Sequence, residues 1–79
     1  MDEIEVMARF LPEGGIIPIS FKWQEKIFKV DSIGRRWDAK DGEHILVMDM
    51  DSRVFHLVFN SAKTTWKLIQ RGESDVLAA

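Results

Sequence analysis

Apolar residues recur at every second position along most of the chain, which is the period of a half-buried β-strand. Near the start, Ile4, Val6, Ala8 and Phe10 alternate with mostly charged residues. The 3.6-residue period of an amphipathic helix is nowhere sustained over ten residues. The pattern therefore predicts an all-β chain.

Turn-forming segments separate these apolar stretches, and they read in chain order LPEGG, QEK, DAKDGE, DS and NSAK. Paired glycines, Asp-Gly and Asp-Ser are strong turn signals, whereas QEK is supported mainly by the strand patterns on both sides of it. The prediction is a small antiparallel meander of five or six strands. Two segments, HILVMDM and VFHLVF, are apolar on both sides. This indicates a strongly curled sheet or partly open barrel, a partner chain, or an unrecognised helix.

The alternation changes phase in the middle of the chain. Ile33 and Trp37 are in phase with each other but out of phase with Val30. One extra residue between Asp31 and Gly34 would restore the phase, which is the effect of a β-bulge.

We expect a single β domain over residues 1–70 and a flexible tail over residues 71–79, where a glycine and small residues follow the last apolar alternation. The predicted core follows the apolar alternation and comprises Ile4, Val6, Ile17, Ile19, Phe21, Phe28, Val30, Val47, Phe55, Leu57, Trp66 and Leu68.

Charge is distributed unevenly. The chain has a net charge of −2, yet residues 21–40 carry six Lys or Arg against three acidic residues. Within this basic segment, cations alternate with aromatic residues, as in small barrels that bind single-stranded nucleic acid by phosphate neutralisation and base stacking. The candidate nucleic-acid-binding residues are Lys22, Lys26, Lys29, Arg35, Arg36 and Trp37. The alternative is that the aromatic residues belong to the core and the lysines only solvate and protect a sheet edge.

Catalytic and metal-binding candidates are few. The chain has no cysteine, and His44 and His56 are its only histidines. They can approach each other if their strands form a hairpin, but two ligands do not complete a zinc site. Combining them with Asp49 or Asp51 would give only a weak catalytic candidate. We therefore expect a protein that is not an enzyme and that uses no cofactor and no metal.

The compartment is predicted from cysteine usage and hydropathy. A chain without cysteine fits a reducing environment. No apolar run reaches the length of a membrane span, and the first residues are acidic. We expect a cytoplasmic protein with no membrane partner.

The segment ISFKWQEKIFKVDSIGRRW, followed by FHLVF and TTWKLIQ, resembles a family of small bacterial all-β domains of unknown function. That family shows an aromatic-x-Trp, aromatic-x-Val and downstream Trp pattern. The matching positions are Phe21, Trp23, Phe28, Val30, Trp37, Phe55, Leu57, Trp66 and Leu68. Some members are appended to error-prone DNA polymerase-like proteins, so the resemblance implies a role near nucleic acid.

Two functions follow as expectations. The first is a small binding module that contacts single-stranded nucleic acid, or a protein associated with it, through the basic segment. The alternative is a protein–protein interaction module with no nucleic-acid role, in which a second copy or a partner strand covers apolar surface.

Overall fold

The computed structural model describes residues 2–69, which form an all-β barrel of six antiparallel strands. The strands are β1 (Asp2–Phe10), β2 (Ile16–Trp23), β3 (Lys26–Ala39), β4 (Gly42–Asp49), β5 (Val54–Asn60) and β6 (Thr65–Ile69). Each strand pairs with the next in sequence, and β6 pairs with β1, so the sheet is closed. The predicted curled meander is confirmed as a closed barrel. The predicted tail lies outside the described residues.

Closure depends on strands that change partner along their length. Residues 2–4 of β1 pair with β6, whereas its residues 5–10 pair with β2. The first four residues of β3 pair with β2, and the rest of β3 pairs with β4. Such staggering is what tilts strands and closes a small sheet. No helix among the described residues has the length and hydropathy to cross a membrane.

The barrel interior is filled by side chains from alternate positions of every strand. The buried core contains Ile16, Phe21, Ile45, Val47, Leu57, Phe59, Trp66 and Leu68. Ten of the twelve predicted core residues are buried or pack against this cluster. A barrel of this size has no lumen, because its inward side chains fill the space.

The prediction for Ile17 and Ile19 is wrong. Met7 of β1 pairs with Ser20 and Ala8 pairs with Pro18, so Ile19 is an extra residue on β2. This bulge reverses the phase of the strand, and Pro18 is fully buried while Ile19 is exposed. β2 pairs with β3 only from Ser20 onward, so Pro18 occupies a part of β2 with no ladder to that strand.

Four aromatic rings from β2, β3 and β5 pack together on the inner side of the barrel. Phe21 stacks on Phe28 with ring centroids 5.2 Å apart, and Phe55 contacts both edge-on or tilted. Trp23 lies 6.1 Å from Phe28 and from Phe55. We call these four residues the inner aromatic cluster.

The β4–β5 turn caps the inner aromatic cluster. Arg53 lies over the Phe28 ring at 5.3 Å. The buried carboxylate of Asp49 accepts hydrogen bonds from the backbone N–H groups of Asp51 and Arg53 and from the Arg53 guanidinium. Burial alone would raise the pKa of Asp49, but these hydrogen bonds outweigh it and hold the pKa below its ordinary value.

Candidate functional site

Two bulges in β3 determine which of its side chains face outward. Val30 pairs with Asp49 and Ser32 with Met48, so Asp31 is an extra residue, in the region where a bulge is predicted. Ile33 pairs with Val47 and Arg36 with Ile45, which leaves a second extra residue between them that the sequence pattern did not predict. Ile33 packs against the core, and simple alternation would send Trp37 inward as well. The second bulge turns Trp37 to the outer side of the barrel.

Trp37 is opposite His44 across the β3–β4 ladder, and β4 alternates between inward Ile45 and outward neighbours. The Trp37 and His44 rings stack with centroids 5.1 Å apart and 22° between their planes. Arg35, from the second bulge, places its guanidinium carbon 5.2 Å from the centroid of the Trp37 ring, which is the geometry of a cation–π contact. An aromatic ring and a cation thus share the outer side of the sheet.

The two histidines meet on this outer side, as a hairpin arrangement allowed. Nδ1 of His44 and Nε2 of His56 are 2.8 Å apart, and His56 also lies against the Trp37 ring at 5.2 Å. Nε2 of His44 is 2.7 Å from a carboxylate oxygen of Asp41. The hydrogen bond from His44 lowers the pKa of Asp41 below its ordinary value.

This chain of hydrogen bonds assigns the protons of the neutral histidine pair. The Asp41 carboxylate can only accept, so Nε2 of His44 carries the hydrogen. Nδ1 of His44 is then an acceptor, and Nε2 of His56 must donate to it. Asp49 and Asp51, the acidic residues proposed from the sequence as partners of the histidines, both bind Arg53 instead. Asp41 was missed, although it lies three residues before His44 in the β3–β4 turn.

A shallow apolar depression of about 270 Å³ lies where residues 32–35 of β3, which precede Trp37, face β4. Its lining consists of Ser32, Gly34, Arg35, Leu46, Val47, Met48 and Val54. Gly34 contributes no side chain to it. We call this depression the Gly34 groove. The Trp37 surface consists of this groove together with Trp37, His44 and His56.

The predicted basic residues fall into two groups and one exception. Lys22 and Lys29 occupy outward positions on β2 and β3, on the opposite side from Phe21 and Phe28. Lys26, next to the turn between these strands, pairs with Trp23 and so has the register of the inner side, but it is exposed. We call these three lysines the basic hairpin. Arg35 and Trp37 form the second group.

Arg36 is the exception, because it pairs with inward-facing Ile45 and points away from Trp37. Its guanidinium bonds Glu43 at 2.9 Å and donates to the Ile16 carbonyl oxygen at 2.6 Å. That second bond joins β3 to the part of β2 with which it forms no ladder. The geometry gives Arg36 a role in holding the barrel closed.

Acidic neighbours distinguish the two outward groups. Lys22 is directly opposite Glu5, and Lys29 lines a depression that also contains Asp49, Asp51 and Arg53. No acidic residue lines the Gly34 groove, where Arg35 is the only charged side chain. The Gly34 groove is therefore the part of the predicted site where a cation has no acidic residue in the same lining.

Among residues 2–69, no group of three or more His, Asp or Glu side chains is arranged so that it could hold a metal ion. A scan against protein-family models gave no match, and searches of curated proteins and of solved structures found no significant similarity.

Proposed function

We propose that this protein is a small binding module, not an enzyme, that contacts single-stranded nucleic acid. The ligand lies across the outer side of β3, with one base stacked against Trp37 and phosphates near Arg35 and the basic hairpin. The observation that carries the proposal is the Arg35–Trp37 pair on the outer side of a small barrel, where a ring and a cation are adjacent. Bases stack on such rings regardless of sequence, and cations track the backbone.

Binding should be weak to moderate and strongly dependent on salt. Three phosphate contacts, from Lys22, Lys29 and Arg35, would give a slope of about −2 in log K against log salt, at about −0.7 per contact on single strands. The overall charge of −2 predicts no general affinity for polyanions. Duplex DNA of the same length should bind less well, because its bases are not free to stack.

The test is an amide NMR titration of labelled protein with a mixed single-stranded oligonucleotide at low salt, repeated at high salt. Shifts should cluster on Arg35, Trp37 and the basic hairpin and disappear with salt. Arg35→Ala should weaken binding several-fold and reduce the salt slope by about 0.7. Lys63→Ala is the matched control. It also removes one positive charge, but Lys63 lies in the exposed β5–β6 turn. Equal effects of the two variants, or a spectrum unchanged by the oligonucleotide, would refute the proposal.

A second candidate function, a protein–protein interaction module, is favoured by three exposed apolar side chains. Met7, Ile27 and Met50 are each 65–67% exposed. Met7 and Ile27 line one depression, and Ile27 and Met50 line the next. A second copy of the chain, or another protein, could cover this strip.

Sedimentation equilibrium tests this candidate. A dimer that dissociates in the Ile27→Ser variant would favour it, while a monomer at high concentration would exclude the homodimer version. The exchange of Met50 for Ser gives a second measurement on the same strip.

A further inference from the structure

We infer that the Gly34 groove is a second base-binding subsite, which takes the nucleotide next to the one stacked on Trp37. This inference rests on the proposed function and adds to it the position of a second base. It concerns Gly34, Leu46, Met48 and Val54, none of which the sequence analysis assigned to a site.

The shape of the groove at Gly34 suits a flat ring. A Cβ placed on this residue would lie 3.6 Å from the Leu46 carbonyl oxygen and 3.9 Å from the Leu46 Cβ, which are ordinary contact distances. The backbone of Gly34 has no positive φ. Neither packing nor backbone conformation therefore requires glycine here. What the glycine provides is an uncovered stretch of backbone beside apolar side chains, against which a flat ring can lie.

The distance between Trp37 and the groove suits two adjacent nucleotides. Trp37 is opposite His44, and Leu46 is two residues further along β4 on the same outer side. Residues two apart on one strand are about 6.6 Å apart. A single strand with unstacked bases can span that distance with adjacent nucleotides, so the two subsites can be filled by one dinucleotide.

The charge around the groove suits a phosphate between two bases. The groove is mainly apolar, and its single charged residue, Arg35, also contacts the Trp37 ring. A phosphate between two bases would lie near this guanidinium while the bases occupy the ring and the groove. The depression that contains Lys29 also contains Arg53 and two aspartates, so its charges offset one another, whereas no acidic residue lines the groove with Arg35. A neutral apolar partner would leave this cation without a charged group to pair with.

The variant Gly34→Val tests the inference, because valine suits an extended backbone and its methyl groups would occupy the groove. Ala39→Val is the matched control, since Ala39 is an exposed small residue on the same strand, away from the groove. Both variants should keep the thermal midpoint of the parent protein. Loss of one stacked base should weaken the binding of an oligothymidylate by about tenfold in Gly34→Val. Ala39→Val should bind like the parent.

A second measurement identifies the contact directly. In the complex with oligothymidylate, the methyl groups of Leu46, Met48 and Val54 should show intermolecular NOEs to base protons. These NOEs should be lost in Gly34→Val, whereas those between a base and the Trp37 indole should remain.

The outcomes separate the two proposals. NOEs at Trp37 with silent groove methyls, and an unchanged affinity in Gly34→Val, would overturn the second subsite and leave the proposed function standing. No binding of any oligonucleotide would overturn both. Shifts of the groove methyls only on addition of an apolar peptide would show that the groove takes a protein side chain, and would overturn the inference.

Discussion

The barrel carries two aromatic clusters, one on each side of the sheet, and each is supported by an aspartate in or directly beside a turn. Inside, Phe21, Trp23, Phe28 and Phe55 pack ring against ring, and Asp49 holds Arg53 over them. Outside, Trp37 packs against His44 and His56, and Asp41 holds His44. The arrangements are alike in construction and differ in environment.

That difference in environment separates folding from binding. Phe21 is 1% exposed and its partners belong to the core or pack on it, so the inner aromatic cluster gains its free energy from burial. Trp37 is partly exposed and does not pack against the core cluster, and its ring neighbours are two histidines and Arg35. A ring in that position contributes less to stability and remains accessible to a ligand. Substitutions in the two clusters should therefore have opposite profiles of stability and binding.

The largest expected effect is on the inner side. Phe21→Ala removes a fully buried ring and should lower the free energy of unfolding by about 3–5 kcal/mol, a large part of the stability of a domain this small. Urea denaturation followed by circular dichroism measures it. A loss below 1 kcal/mol would mean that the inner aromatic cluster is not the main source of stability. Phe55→Leu should lose less, because it keeps much of the buried volume.

The next effect concerns the aspartate that supports the inner cluster. Asp49→Ala removes three hydrogen bonds at a buried carboxylate and should cost about 2 kcal/mol of unfolding free energy at neutral pH. Since the folded-state pKa of Asp49 is lowered, its contribution is present above about pH 4 and is lost as the pH falls through the folded pKa.

Unfolding measured at several pH values checks that sign. The variant should show a flatter decline of stability below pH 4 than the parent, and the two should converge in acid. Asp51→Ala is the control, because Asp51 is exposed and has one contact to Arg53. If both variants lose the same free energy of unfolding, the buried carboxylate of Asp49 does not stabilise the fold more than an exposed one does.

The sequence predicted the inner side of the barrel better than the outer side, for a physical reason. Period-two alternation reports which residues face the core, and it located Phe21, Phe28, Leu57 and Leu68 correctly. The turn at Gln24 and Glu25 was also predicted, although both residues adopt positive φ without being Gly or Asn. Flanking strands therefore determined that turn more than its own residue types did.

Bulges limited the rest of the prediction, because one extra residue leaves no mark on composition and reverses every side chain that follows. The bulge at Ile19 exchanged the sides of Ile17 and Pro18. The second bulge of β3 turned Trp37 to the outer side and Arg36, which stays exposed, to the opposite side, so two neighbouring residues predicted for one site have different roles. The Asp41–His44–His56 chain depends on strand register, which the turn signals did not specify to the residue.

A smaller effect on stability, with a larger one on binding, is expected at the outer cluster. Trp37→Ala should lower the free energy of unfolding by about 1–3 kcal/mol, less than Phe21→Ala, since it loses ring contacts at a partly exposed site outside the core cluster. It should weaken oligonucleotide binding by about 5- to 100-fold through the loss of one stacked base. Trp37→Phe should recover most of the affinity. A Trp37→Ala variant that unfolds as readily as Phe21→Ala would show that the outer cluster is structural, and the comparison between the two sides would fail.

The smallest expected effect is that of Asp41, which is exposed and whose role is to orient one imidazole. Asp41→Ala should change the urea midpoint little, because Asp41 itself is exposed and His44 keeps its contacts with His56 and Trp37. Its effect should appear in the histidine tautomers, which long-range ¹H–¹⁵N spectra resolve. In the parent at high pH, both His44 and His56 should carry their hydrogen on Nε2, as the two hydrogen bonds require. Without Asp41, His44 can also place the hydrogen on Nδ1 and donate to His56, so a mixture should appear. A mixture of tautomers already present in the parent would mean that Asp41 does not fix the tautomer of His44. The two clusters would then differ, because only the inner one would have an aspartate that holds its partner in place.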